Sequence, residues 1–158
     1  MATTTQRAIY AGILADLHAA ASDGTDDIGV DSGFIYITPI PVFTQSDERI
    51  IQVIPGTPSV ETPISGLGLV DEDFHIAVWA RVFLDQAGHS TARITNSTLG
   101  ALVTTGQVRQ TLIQSDANSL ATVPVRWVGG SVPIESEEAP GWVYYEDTYN
   151  VGYEIVWG

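Results

Sequence analysis

The sequence predicts an α+β fold, a mostly antiparallel twisted sheet with an N-terminal helix and a second helix packed on one face. Three observations predict it. Residues 73–85, DFHIAVWARVFLD, alternate strictly: Phe74, Ile76, Val78, Ala80, Val82 and Leu84 fall on one side of an extended chain, and His75, Ala77, Trp79, Arg81, Phe83 and Asp85 on the other. Both sides are too apolar for an edge, so this is the expected central strand. Two other stretches, near the N-terminus and after residue 96, repeat apolar residues at helical spacing, and the C-terminal stretch alternates again. The order α, several β, α, β, β describes helices set against a meandering sheet.

The helices and strands follow in order. Residues 4–21 carry Ile9, Ile13, Leu17 and Ala20/Ala21 as an i, i+4, i+8 stripe, with candidate caps at Thr3 to Thr5 and a stop at Ser22-Asp23-Gly24. Residues 33–43, GFIYITPIPVF, read as a strand whose second half is an edge or leaves the sheet, because Pro39 and Pro41 remove ladder donors. RIIQVI at 49–54 is a short strand. Residues 55–68, PGTPSVETPISGLG, read as a loop projecting from the body. After the central strand and a turn near Gly88, a helix is expected from the Asn96-Ser97-Thr98 cap cluster to about residue 115. Its predicted buried stripe is Leu99, Leu102, Val103, Gly106 and Ile113, and Thr104, Thr105 and Gly106 weaken it enough that packing must hold it. Residues 120–128 form a strand interrupted by Pro124, residues 129–141 a loop, and residues 142–157 one or two strands with a turn near Glu146-Asp147.

At 158 residues the chain fits a single domain spanning 1–158. Apolar residues make up 44% of it and charged residues 16%, enough for a core. The formal net charge is −13 and every basic side chain is arginine, which weighs against attraction to nucleic acid or an anionic membrane and favours a cationic partner. There is no cysteine, so disulfides and thiol chemistry are excluded. The first 22 residues lack the basic cluster and uninterrupted apolar run of a signal peptide, and no apolar window is long enough for a bilayer span, so folding in a cytoplasm is expected.

No catalytic motif withstands inspection, and no enzyme, cofactor or metal is expected. Gly88-His89-Ser90-Thr91-Ala92 resembles a nucleophile elbow, but His18, His75 and His89 all precede Ser90, the reverse of that fold's chain order. Asp23/Asp26/Asp27 and Asp71-Glu72-Asp73 lack the calcium-loop pattern and read as solvated acidic loops, as do Glu135, Glu137 and Glu138. His75 has no second ligand at metal spacing. Trp79, Trp127, Trp142 and Trp157 sit in strand contexts, where packing in a core or interface is the expectation. The other class this composition admits is a carbohydrate-binding or adhesive β-rich module using exposed tryptophans.

The element order resembles the tail terminator family of tailed bacteriophages, also called tail completion, neck or head–tail joining proteins. The stretches that carry the resemblance are RAIYAGILADLH, FIYITPIPVF, DFHIAVWARVFLD, LGALVTTGQVRQTL and YNVGYEIVWG. The resemblance implies a non-enzymatic virion protein, made in the host cytoplasm, that forms a ring of six copies on the tail tube. Its implied partners are itself, the tail tube protein and a head-completion or connector protein. DNA would pass through the lumen without specific binding. A closing ring needs two unlike patches per subunit. The expected suppliers are the 55–68 loop, with Pro55, Pro58, Val60 and Pro63, and the exposed face of the central strand, with Trp79, Arg81 and Phe83.

Overall fold

The structure is a computed structural model that describes residues 3–21, 30, 32–38, 49–64, 67–81, 101–113, 123–131, 134–135 and 141–156. In chain order its elements are α1 (Thr3–Ala20), a 3-10 turn (Ser32–Phe34), β1 (Ile35–Ile37), β2 (Arg49–Ile54), β3 (Pro58–Ile64), β4 (Leu67–Arg81), α2 (Ala101–Ile113), β5 (Val123–Gly130), β6 (Ile134–Glu135) and β7 (Trp142–Val156). The fold is α+β. The sheet runs β1-β2-β4-β7-β5, with β3 also on β4 and β6 also on β7, and every pairing is antiparallel except β1–β2.

Two fifteen-residue strands form the spine. β4 and β7 pair along their whole length, from Leu67↔Val156 to Arg81↔Trp142, a ladder of about 50 Å at strand rise. Alternation puts Val70, Phe74, Ile76, Val78 and Ala80 of β4 on one side, against Tyr145, Tyr149, Val151 and Tyr153 of β7. Both helices cover that side, and their residues Ile9, Tyr10, Ile13, Leu17, Ala101, Val108 and Leu112 join the same buried cluster. Phe74 stacks on Tyr149 with ring centroids 5.5 Å apart, and Tyr10 meets Phe74 edge-on at 5.8 Å. The other side of the sheet holds a smaller buried cluster of Ile50, Ala77, Trp79 and Trp142.

The N-terminal stripe is buried as its spacing predicts: Ile9, Ile13, Leu17, Ala20 and Ala21 are all 3% exposed or less. His18 Nε2 donates to the Ile35 carbonyl at 2.9 Å and pins the end of α1 to β1. The second helix is present but rotated from the expected stripe. Its buried residues are Ala101, Thr104, Thr105, Val108 and Leu112, whereas Leu102 and Ile113 are exposed and so is Gly106. Leu99 lies outside the described residues. The two threonines can face the core because their hydroxyls are satisfied: Arg49 Nη1 donates to Thr104 Oγ1 at 2.8 Å, and Thr105 Oγ1 donates to the Ala101 carbonyl at 2.7 Å.

The expected 55–68 loop is largely strand. β2 and β3 run in succession along the same edge of β4, Ile54 opposite His75 and Pro58 opposite Glu72, so residues 55–57 oppose only two residues and form a bulge. Prolines are tolerated in β3 because, among the described residues, no strand pairs with its outer side. The bulge needs glycine at 56. A Cβ there would lie 1.3 Å from the Asp73 carbonyl oxygen, a backbone atom with nowhere to go. Gly56→Ala is therefore expected to lower unfolding free energy by about 2 kcal/mol or more, measured as a reduced midpoint in urea; an unchanged midpoint would mean the bulge is absent in solution.

Four other expectations are corrected. β7 is a single unbroken strand, with Glu146 and Asp147 in its middle rather than in a turn. The central strand starts at Leu67, six residues earlier than expected, and its residues 82–85 lie outside the described part. Asp71-Glu72-Asp73 lies within β4 and not in an acidic loop, since each of the three residues pairs with β7. The loop expected at 129–141 also contains strand at Gly129, Gly130, Ile134 and Glu135.

Candidate assembly surface

The four exposed large apolar side chains among the described residues are Leu102, Ile113, Trp127 and Val128, between 45% and 61% exposed. Leu102 and Ile113 lie on α2, and Trp127 and Val128 on β5, which packs beside it. Leu102, Gly106, Arg109 and Ile113 are spaced i, i+4, i+7, i+11 and so form one outer ridge of α2. The Arg109 guanidinium lies 4.4 Å from the centre of the Trp127 ring, which continues the ridge onto the sheet edge. α2 is thus apolar on two sides, one facing the core and one facing outward.

Arg109 is fixed from beneath. Its Nε and Nη2 donate to Asp147 Oδ2 and Oδ1 at 2.6 and 2.8 Å, a bidentate pair in which the Asp147 carboxylate is 97% buried. The hydrogen bond to Asp147 holds the Arg109 pKa above its ordinary value. Gly130 makes room for this pair: a Cβ there would meet Asp147 Oδ1 at 2.5 Å. The ridge therefore presents an apolar surface with a cation whose charge is largely matched internally.

A second buried polar group anchors α1. Glu72 has no exposed surface and accepts hydrogen bonds from Gln6 Nε2 at 2.8 Å, Tyr153 OH at 2.9 Å and Tyr10 OH. Tyr10 OH also accepts from the Gly56 amide at 3.3 Å, which ties the helix to the bulge. Burial and then the bond to Glu72 push the Tyr10 and Tyr153 phenols upward, and burial with the nearby Asp147 charge does the same to Tyr149. A phenol raised on folding holds its proton more tightly in the native state. Its contribution is whole below about pH 10, the unfolded value, and is lost as pH climbs toward the folded one. Stability should accordingly fall above pH 10, by about 1.4 kcal/mol per pH unit for each of the three. Tyrosinate absorbance should show the three ionising only with unfolding; ionisation near pH 10 in the folded protein would contradict the burial.

On the side of the sheet away from the helices, Val128, Gly129, Gly130, Ser131, Glu146 and Thr148 line an open depression of about 330 Å³. His75 borders it: its Nδ1 is 3.1 Å from Thr148 Oγ1 and 3.3 Å from Glu146 Oε1. The Glu146 amide donates to Ser131 Oγ at 3.0 Å. Farther along, Asn150 bridges Asp71 and Asp73, donating to Asp73 Oδ1 at 2.8 Å, and accepts from Arg126 Nη2 at 2.7 Å. Among the described residues no group of three or more His, Asp and Glu side chains is placed to hold a metal ion.

The sequence-predicted surface residues do not converge. Pro55 is exposed in the bulge, and Pro58, Val60 and Pro63 lie in β3 along one edge of the sheet. Trp79 is 6% exposed and is not on an open face: it packs on Tyr144 with centroids 4.3 Å apart, and its Nε1 donates to Gln52 Oε1 at 2.9 Å. Arg81 ends β4; Phe83, Ser90, Trp157 and the Asp23/Asp26/Asp27 loop lie outside the described residues. Trp142 is also buried. Sequence spacing alone hides the α2–β5 ridge, because it places Leu102 and Ile113 in the core. The signal that separates them is the alternative stripe 101, 104, 105, 108 and 112, which also has helical spacing.

No protein-family model matches the sequence, and no curated protein matches it. Over 96% of its length the chain is similar to 96% of a solved structure whose name describes no activity, with 12% identity and a TM-score of 0.46.

Proposed function

We propose that this chain is a structural protein of a tailed-phage virion, a tail terminator or neck subunit that assembles into a ring, typically of six copies, between tail tube and head. The observation that carries the reading is the difference between its flanks. One flank is the proline-bearing β3 edge and the short β1; the other is the apolar ridge of Leu102, Ile113 and Trp127 at α2 and β5. Head-to-tail closure requires two such unlike surfaces. An exposed apolar ridge is what a subunit interface covers. The work in this reading is shape fitting to copies of itself, to the tube protein below and to a connector above. The −13 charge suits a lumen through which DNA slides without sticking.

Light scattering tests it with Leu102→Glu and Ile113→Glu, two exposed positions on α2. The wild-type chain is expected to give one discrete oligomer, and each variant a smaller species at the same concentration with unchanged circular dichroism. A strict monomer, or variants that assemble like the wild type, would overturn the use of this flank.

A further inference from the structure

We propose that the depression beside Glu146 receives a basic side chain, lysine or arginine, of a partner protein. Its lining has the parts such a group needs. Val128, 61% exposed, offers an apolar wall for an alkyl stem. The Glu146 carboxylate at the depression is partly exposed and borders His75 and Thr148, so a cationic head finds a charged acceptor with hydroxyl oxygens of Ser131 and Thr148 beside it. Gly129 and Gly130 bring bare backbone to the lining, and a Cβ at Gly129 would meet nothing within 4 Å, which leaves space for an incoming chain. Among the described residues no lysine or arginine lines the depression, and the acidic balance of the whole chain draws positive charge toward it. An incoming lysine must come from another protein, because this chain contains none. The proposal stands on the depression alone and holds whether or not the chain forms a ring.

The test is a titration of the labelled full-length protein with N-acetyl-arginine amide and N-acetyl-lysine amide, followed by amide chemical shifts. Saturable shifts are expected at Gly129, Gly130, Ser131, Glu146 and Thr148, with a dissociation constant on the order of 1 mM for so small a probe. Glu146→Gln should weaken binding at least ~10-fold. Gly129→Phe, whose Cβ meets nothing within 4 Å and whose ring would occupy the depression, should abolish it while the remaining spectrum stays that of the folded protein. The neutral analogue N-acetyl-citrulline amide should leave these amides unmoved. Equal shifts with citrulline, unaltered binding in either variant, or shifts spread over every acidic residue would overturn the proposal. Tighter binding of putrescine than of the lysine probe would overturn the assignment to a protein side chain.

Discussion

Arg109→Ala should lower the unfolding free energy by about 3 kcal/mol or more. The loss does not come from a surface ion pair, which would contribute little. Asp147 is 2% exposed, and the described donors to its two carboxylate oxygens are Arg109 and, more weakly at 3.5 Å, Tyr149 OH. Removing the guanidinium leaves a buried carboxylate without its cation and also strips the cover from Trp127. The double variant Arg109→Met/Asp147→Leu should recover most of the loss, since a buried pair exchanged for apolar groups of similar size is often neutral or better. Urea denaturation of Arg109→Met, Asp147→Leu and the double variant closes this cycle. A single-variant loss under about 1 kcal/mol would mean that water reaches Asp147.

Glu72→Ala should be as damaging, at about 3 kcal/mol or more, for a different reason. The carboxylate accepts from three side chains on two other elements, Gln6 and Tyr10 of α1 and Tyr153 of β7. Its removal leaves buried phenols without an acceptor, each with a desolvation penalty of about 1–3 kcal/mol. It also empties the volume of a fully buried side chain. Glu72→Gln keeps the shape and one acceptor, so roughly half the effect is expected. Hydrogen exchange adds a spatial check. Opening in Glu72→Ala should be concentrated in α1 and at Gly56, whose amide bonds to Tyr10. Loosening spread evenly over α2 as well would contradict the anchoring role.

The legible parts of the fold were those in which one local period decides the outcome. Ile9, Ile13 and Leu17 sit on a single helical stripe, RIIQVI is too short and too apolar for anything but a strand, and the alternation from Asp73 holds as far as Arg81. The illegible parts depend on partners distant in the chain. Glu146-Asp147 looks like a turn until Arg109 and His75 are brought to it, one from each side of the sheet. Thr104 looks like an outward residue until Arg49, 55 positions away, arrives to bond it. The prolines of β3 read as a loop because composition cannot say which edge of a strand stays unpaired. The ridge was hidden by the same rule that found the core, since an exposed leucine and a buried one look alike in a sequence.

Electron microscopy of the purified full-length protein addresses ring formation most directly. Annular particles with a central hole, of one subunit number and dispersed by Ile113→Glu, are the predicted result. Isolated globules at every concentration, with tail tube protein present or absent, would contradict the account.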